Sequence, residues 1–145
     1  MKTVIFIFLT MFFAAYAQSA PEACPNLAGK FTNVTVTIEV TQVLENVLSK
    51  FHFVQTRAER NKIEKDFVLV ADGVTHENPS DTLGTVVELT QCTGGKLSFQ
   101  QNMKGVPFVD EAQYFLDAAG NLLTAEGLHQ LGEALSEKPL QFKRQ

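Results

Sequence analysis

The feature that most constrains the fold is a series of short alternating segments separated by turn residues. Residues 34–41 alternate between β-branched apolar and polar side chains, which is typical of a strand with one wet and one buried face. Residues 85–92 and 96–103 form two further runs, joined by Thr93-Gly94-Gly95. Other turn signals stand at Asp72-Gly73, at Lys104 to Pro107 and at Asp117 to Asn121. This spacing predicts an antiparallel meander rather than alternating βαβ units.

The end of the chain changes period. Its apolar residues follow the helical spacing i, i+3, i+7, at Leu128, Leu131 and Leu135. This spacing predicts an amphipathic helix, capped by Thr124 and stopped by Pro139, with His129 on its solvated face. Two glycines, Gly127 and Gly132, weaken that helix by about 1 kcal/mol each. Residues 140–143 favour a final short strand.

A meander of about eight strands leaves two exposed edges, which closure into a barrel removes. We therefore expect a mainly all-β fold: an up-and-down meander closing into a barrel, with one C-terminal helix, in a single domain spanning residues 18–145. A second architecture stays open. If Gln42 to Ser49 is a helix, the order of elements resembles α+β helix-grip folds, whose C-terminal helix lies across a curved sheet.

The first residues predict export. A charged start at Lys2, an apolar run from Thr3 to Phe13 and small residues up to Ala17 are typical of a secretory signal peptide. We expect residues 1–17 to be removed by cleavage after Ala17, with Ala20 as the alternative site. The apolar run is shorter than the roughly 20 residues that cross a bilayer. The mature protein is therefore expected to be secreted or periplasmic, without an integral membrane segment.

The chain has two cysteines, Cys24 and Cys92. In an oxidising compartment two cysteines most simply form one disulfide, which would tie the start of the domain to its middle. Two alternatives are an acylated Cys24, as in a bacterial lipoprotein, and a reactive free thiol. The residues from Pro21 to Cys24 lack the pattern of a lipobox, and no base stands near either cysteine.

The charge balance argues against a nucleic-acid partner. The formal net charge is −4 at pH 7, whereas phosphate binding depends on clustered Lys and Arg. The basic residues of segment 57–65 are interleaved with Glu59 and Glu64, which is typical of a solvated segment. The oligomeric state is not indicated by the sequence.

No combination of residues in the sequence indicates catalysis. The three histidines, His52, His76 and His129, are spread over a predicted strand, a polar loop and a helix, without metal-ligand spacing. The sequence has no nucleophile elbow, phosphate loop or zinc-binding helix. We therefore predict no enzymatic activity, no metal and no cofactor. An enzyme that uses His76 with Glu77 is the remaining alternative, although adjacent side chains of an extended segment point to opposite faces.

One short motif carries a family resemblance. Leu27-Ala28-Gly29-Lys30-Phe31, just ahead of the first long strand, resembles the Gly-x-Trp motif of the lipocalins, with Phe31 in place of Trp. The order of a signal peptide, a meander, one disulfide and a late helix is similar too. The resemblance implies an open-ended barrel that binds a small apolar molecule, in which Phe31 closes the floor.

These observations favour a small hydrophobic, lipid-like molecule as the partner, under either topology. The predicted ligand-binding residues have the inward parity of their strands: Val36, Ile38, Phe53, Leu69, Leu89, Phe99, Tyr114 and Leu116. A packed core without a pocket is the plain alternative for the same residues. The alternative function is a non-catalytic envelope or extracellular interaction protein, such as an inhibitor, that uses loops 72–84 or 104–110.

Overall fold

Antiparallel strands hydrogen-bond into one curled sheet. The structure, a computed structural model, describes residues 22–82 and 84–145, so the predicted signal peptide and both of its cleavage sites lie outside the described residues. The ten strands of the described part are β1 Gly29–Thr32, β2 Val36–Glu45, β3 Leu48–Arg57, β4 Lys62–Ala71, β5 Thr75–Ser80, β6 Gly84–Thr93, β7 Lys96–Met103, β8 Phe108–Leu116, β9 Leu122–Gln130 and β10 Leu140–Arg144. The predicted all-β class and antiparallel meander are confirmed.

The last strand joins two halves of the sheet. The spatial order is β4-β3-β2-β1-β10-β9-β8-β7-β6-β5, so β10 lies between the meander β1–β4 and the meander β5–β9. Phe31 on β1 lies opposite Arg144, and Phe142 lies opposite Leu122 on β9. The predicted C-terminal strand is therefore confirmed, and it makes the sheet continuous.

The predicted C-terminal helix is wrong, because residues 122–130 form β9 and residues 131–139 continue as a turn and a segment without regular secondary structure. β9 pairs with β8 along its whole length, from Leu122 opposite Leu116 to Gln130 opposite Phe108. That ladder outweighs a helical spacing already weakened by Gly127. The described residues contain no helix of the length and hydropathy needed to span a membrane.

The helix-grip alternative is also wrong. Gln42 to Ser49 form the tip of the β2–β3 hairpin, in which Leu44 lies opposite Ser49 and Glu45 opposite Leu48. The two turn residues, Asn46 and Val47, have φ values of 49° and 64°. A left-handed pair of this kind matches the twist of a tight hairpin.

The predicted closed barrel is wrong as well, because β4 and β5 remain the two edges of the sheet within the described residues. β4 approaches β6 to within 8 Å between Cα atoms, but no ladder joins β4 to β5. β5 has only six residues, and its Pro79 has no backbone N–H to donate. The first half of β4 carries the charged residues Lys62, Glu64, Lys65 and Asp66. Short, proline-containing and charged strands are typical of edges that do not pair.

Large apolar side chains fill part of the concave face. The side chains of Phe31, Phe51, Phe53, Leu97 and Leu122 are each at most 1% exposed. The predicted disulfide is present: Cys24 and Cys92 are joined with an S–S distance of 2.01 Å. It fixes the N-terminal segment to the end of β6. The side chains of Leu135 and Glu137 lie close to Gly127, so segment 134–139 covers part of β9.

Candidate functional site

Two cavities lie on the concave face. The first, which we call the seam cavity, has a volume of about 540 Å³ and lies where edge strand β4 faces β6. Its apolar lining comes from β4, β7 and β8: Phe67, Leu69, Phe99, Ala112 and Tyr114. The second, the C-terminal cavity, has a volume of about 470 Å³ and lies between β2, β3, β9 and residues 137–142. Both volumes fall in the range typical of small-molecule sites.

A third hollow differs in kind. It has a volume of about 880 Å³ and lies beside the disulfide, between the N-terminal segment and the β2–β3 hairpin tip. Small or polar residues such as Ala23, Ser49, Gly73 and Thr93 make up much of its lining. None of the described residues that line it is aromatic, whereas Phe67, Phe99 and Tyr114 line the seam cavity. We therefore take the seam cavity as the candidate site.

Three aromatic rings separate the seam cavity from the C-terminal cavity. Phe53 on β3 stacks on Phe67 of β4 at 5.1 Å between ring centroids, and it meets Tyr114 of β8 at 4.6 Å. Phe67 and Tyr114 line both cavities. The interior is therefore partly packed core and partly open space, divided at this cluster.

The strand register arranges the concave-face side chains of β6 to β9, including those that line the seam cavity, in rows. Glu88 on β6, Gln101 on β7 and Asp110 on β8 are direct neighbours and form the outer row. The middle row is Thr90, Phe99, Ala112 and Glu126, and the inner row is Cys92, Leu97, Tyr114 and Thr124. Because alternate residues share a face, each row lies about 7 Å from the next along the strands. The outer row is thus polar throughout, and further in the cavity has apolar surface from Phe99, Ala112 and Tyr114 beside Thr90 and Glu126.

The charged groups of the cavity are unequally paired. Lys65 Nζ on β4 lies 3.4 Å from Glu126 Oε2 on β9, a contact that crosses the concave face. His76 Nε2 lies 2.7 Å from Asp72 Oδ2. Burial raises the pKa of Asp72, but hydrogen bonds from the Val74 N–H and from His76 outweigh it, so the pKa lies below its ordinary value.

The two carboxylates of the outer row have no cationic partner among the described residues. The carboxylate oxygens of Glu88 accept hydrogen bonds from Asn78 Nδ2 at 2.7 Å and from Gln101 Nε2 at 2.9 Å, and both donors are neutral amides. Asp110, which also lines the cavity, forms no salt bridge within the described part of the chain. The outer row therefore presents uncompensated negative charge.

Tyr114 is the polar group at the inner end of the cavity. Its side chain belongs to a residue only 6% exposed, and its hydroxyl has no hydrogen-bond partner among residues 22–82 and 84–145. Burial, together with the nearby Glu126 carboxylate, raises the pKa of Tyr114 above its ordinary value. The hydroxyl therefore stays protonated at neutral pH and is available as a donor.

The structure separates the residues that the sequence predicts as ligand contacts. Leu69, Phe99 and Tyr114 line the seam cavity, whereas Val36, Ile38, Phe53 and again Tyr114 line the C-terminal cavity. Leu116 packs against the core cluster. Leu89 lies on the opposite face of β6 from Glu88 and Thr90, and it lines a shallow convex-face depression with Val87 and Val109. Phe31 is fully buried under the Arg144 guanidinium, 5.0 Å from its ring centroid.

The polar residues of the site were not predicted from the sequence. In β6 the inward side chains are Glu88 and Thr90, while the apolar Val87 and Leu89 point outward. An apolar-inward assumption therefore selects the wrong face of this strand. The usable signal lay in the next strand, because Phe99 is paired with Thr90 and thus shares its face. His76, expected in a loop, lies in β5 and lines the cavity.

A second polar group lies on the convex face. Glu111 Oε1 accepts hydrogen bonds from Ser98 Oγ at 2.7 Å and from Gln113 Nε2 at 2.9 Å, and Glu111 Oε2 accepts one from His129 Nε2 at 2.8 Å. His129 Nδ1 lies 2.9 Å from the Gln130 carbonyl oxygen, so each ring nitrogen contacts an oxygen acceptor. The predicted solvated position of His129 is wrong, because its side chain is 8% exposed.

This convex-face group holds three strands together rather than activating a nucleophile. A nucleophilic relay needs the imidazole between the hydroxyl and the carboxylate. Here the carboxylate of Glu111 stands between Ser98 and His129. Burial raises the pKa of Glu111, but the hydrogen bonds from Gln113, Ser98, Gln100 and His129 outweigh it and lower the pKa. The ionised carboxylate is thus the form that the fold favours.

Comparison with known proteins gives no assignment. No protein-family model, no curated protein and no solved structure matches this chain significantly. Within the described ranges, no three His, Cys, Asp or Glu side chains come together as a group that could hold a metal ion. The candidate site therefore rests on its own geometry.

Proposed function

We propose that this chain is an exported binding protein, secreted or periplasmic, that holds a small molecule with an apolar body in the seam cavity. The observation that carries the proposal is the cavity of about 540 Å³ beside the aromatic cluster, floored by Leu69, Phe99 and Tyr114. The resemblance of this chain to lipocalins at Gly29 and Phe31 also favours a binding function. The predicted signal peptide and the Cys24–Cys92 disulfide support an oxidising, extracytoplasmic location.

Binding follows from the burial of apolar surface. An apolar body placed against Phe67, Leu69 and Phe99 removes its own surface and theirs from water, at roughly 25 cal/mol for each Å². The open seam between β4 and β5 gives access without opening a hydrogen-bond ladder, because no ladder closes it in the described structure. The rings of the aromatic cluster are fixed by mutual packing, so little ordering accompanies binding.

The test is titration of the purified protein with Nile red, a neutral dye whose fluorescence rises in apolar surroundings. We expect saturable binding to the wild type. Ala112 lies in the middle row of the cavity, so Ala112→Phe fills the space and should weaken binding about tenfold or more, equivalent to about 1.4 kcal/mol.

Thr41→Phe is the matched control, because it adds the same ring on the exposed face of β2. Circular dichroism verifies that both variants are folded. Unchanged dye binding in Ala112→Phe, or equal loss in both variants, would contradict the proposal.

A further inference from the structure

We propose that the ligand of the seam cavity is an amphipathic amine, with its protonated head at Glu88 and Asp110 and a hydrogen-bonding group at its opposite end on Tyr114. This inference rests on the proposed function and specifies the chemical class of the ligand. It is carried by two independent observations, namely the uncompensated carboxylates of the outer row and the unpartnered hydroxyl of the inner row.

The outer row favours a cation. Of the charged side chains around the cavity, Lys65 is paired with Glu126 and His76 with Asp72, and this leaves the carboxylates of Glu88 and Asp110. The two stand on strands β6 and β8 with only Gln101 between them, so their Cα atoms are about 10 Å apart. An ammonium group at this row is attracted by both carboxylates and can donate to either.

The Glu88 carboxylate is oriented by hydrogen bonds and can still accept from an ammonium group. Asn78 and Gln101 each donate to a different oxygen of its carboxylate, which fixes its orientation. An ionised carboxylate has about four lone-pair sites, so acceptor capacity remains for an ammonium. An anionic head such as a fatty-acid carboxylate would meet Glu88 and Asp110 as like charges, and a neutral head would leave their charge uncompensated.

The inner row favours a second polar group on the ligand. Tyr114 is 6% exposed and lines the cavity, and its hydroxyl has no partner among the described residues. The hydroxyl is a hydrogen-bond donor, so an acceptor on the ligand can bind there. Asp110 and Tyr114 are four residues apart on β8, which separates their Cα atoms by about 13 Å. The ligand is therefore elongated, with polar ends and an apolar middle.

The middle row suits the apolar part of such a molecule. Phe99 and Ala112 lie between the two polar ends on β7 and β8, and Leu69 faces them from β4. Glu126 shares this row, but its charge is balanced by Lys65 at 3.4 Å. The head therefore finds its uncompensated partners at the outer row and not halfway along the cavity.

The test compares matched ten-carbon chains as competitors of Nile red: decylamine, decanol, decanoate, and aminodecanol with its hydroxyl on the far carbon. We expect the two amines to displace the dye at concentrations about tenfold lower than decanol or decanoate, since hydrogen bonds to charged groups contribute more than neutral ones. Aminodecanol should bind more tightly than decylamine.

Variants assign the two ends. Glu88→Gln combined with Asp110→Asn should abolish the preference for amines over decanol, whereas Glu39→Gln, which removes an exposed charge on the outer face of β2, should leave it unchanged. Tyr114→Phe should remove the advantage of aminodecanol over decylamine. Loss of the amine preference in Glu39→Gln as well would assign it to net charge and overturn the proposal.

The outcomes separate the two proposals. Dye binding in which decanol or decanoate competes as well as decylamine overturns the amine inference and leaves the proposed function standing. Where the dye does not bind, direct calorimetric titration with decylamine and aminodecanol decides: binding heat supports both proposals, and its absence overturns both.

Discussion

The ring of Tyr114 on β8 lies 4.6 Å from the ring of Phe53 on β3, measured between centroids. These strands are far apart in the order of the sheet, so the contact crosses the concave face. No ladder joins edges β4 and β5 in the described structure. The curl of the sheet is therefore held by side-chain packing across its interior, at the same cluster that bounds the seam cavity.

Truncation at this contact should strongly destabilise the fold. Phe53 is 1% exposed, so Phe53→Ala should lower the free energy of unfolding by about 3 to 5 kcal/mol, as measured by urea denaturation. Val34→Ala is the control, because Val34 is 96% exposed and its truncation should change stability by no more than about 0.5 kcal/mol. If Phe53→Ala lowers the free energy of unfolding by less than about 1 kcal/mol, the packing of β3 against β8 does not hold the curl of the sheet.

The disulfide should contribute a comparable amount. Cys24 and Cys92 are separated by 68 positions, and closing a loop of that length stabilises by about 4 kcal/mol in the chain-entropy model. Replacing both cysteines by Ala should lower the urea midpoint accordingly. Adding a reductant should have the same effect on the wild type and none on the double variant. Equal midpoints for oxidised and reduced wild type would contradict this prediction.

Glu111 should make the protein sensitive to acid. Its pKa in the folded state lies below the ordinary value of 4.5, so its contribution is fully present above that value and is lost as pH falls through the folded pKa. Glu111→Gln should therefore flatten the fall in unfolding free energy between about pH 6 and about pH 3.

Some acid sensitivity should persist in Glu111→Gln. The side-chain amide of Asn121 and the other hydrogen bonds hold the pKa of Asp117 low in both proteins. The comparison is made by urea denaturation across this pH range. An unchanged slope in the variant would mean that the Ser98–Glu111–His129 contacts do not control acid stability.

The hairpin turn at Val47 should be open to stabilisation. Val47 has φ of 64° and is 91% exposed, so a β-branched residue there carries left-handed strain without burial to offset it. Val47→Gly creates the favoured Asn-Gly turn and should stabilise by about 1 kcal/mol in thermal and urea unfolding. Val43→Gly, inside β2, should instead destabilise by a similar amount. Destabilisation by Val47→Gly would show that the side chain has a contact role.

Turns and strands were predictable where local chemistry defines them. Gly94 and Gly95 have φ values of 59° and 72°, as the hairpin between β6 and β7 requires. This Gly-Gly pair predicts the turn from the sequence alone. The helix expected around Leu128 failed because β9 pairs with β8 along its whole length. Leu128 and Leu131 are each 67% exposed, so their helical spacing is a coincidence and marks no buried face.

Only the apolar half of the site was predictable from the sequence. Leu69, Phe99 and Tyr114 were reachable from strand parity, and they line the seam cavity. Glu88 and Asp110 were not, because an inward carboxylate looks like a solvent-facing one until the strand register is known. His129 shows the converse: its polar side chain is buried by the pairing of β9 with β8, opposite Val109.

By itself, the sequence determined most of the strands and turns, since these depend on neighbours within a few residues, and it allowed a single cystine because the chain has two cysteines. Tertiary structure alone decided that β10 enters between β1 and β9, that the edges β4 and β5 stay apart, and that space remains beside Phe67 and Tyr114. Those outcomes depend on contacts between residues distant in the chain, and the energy of such contacts is set only when the whole sheet has curled.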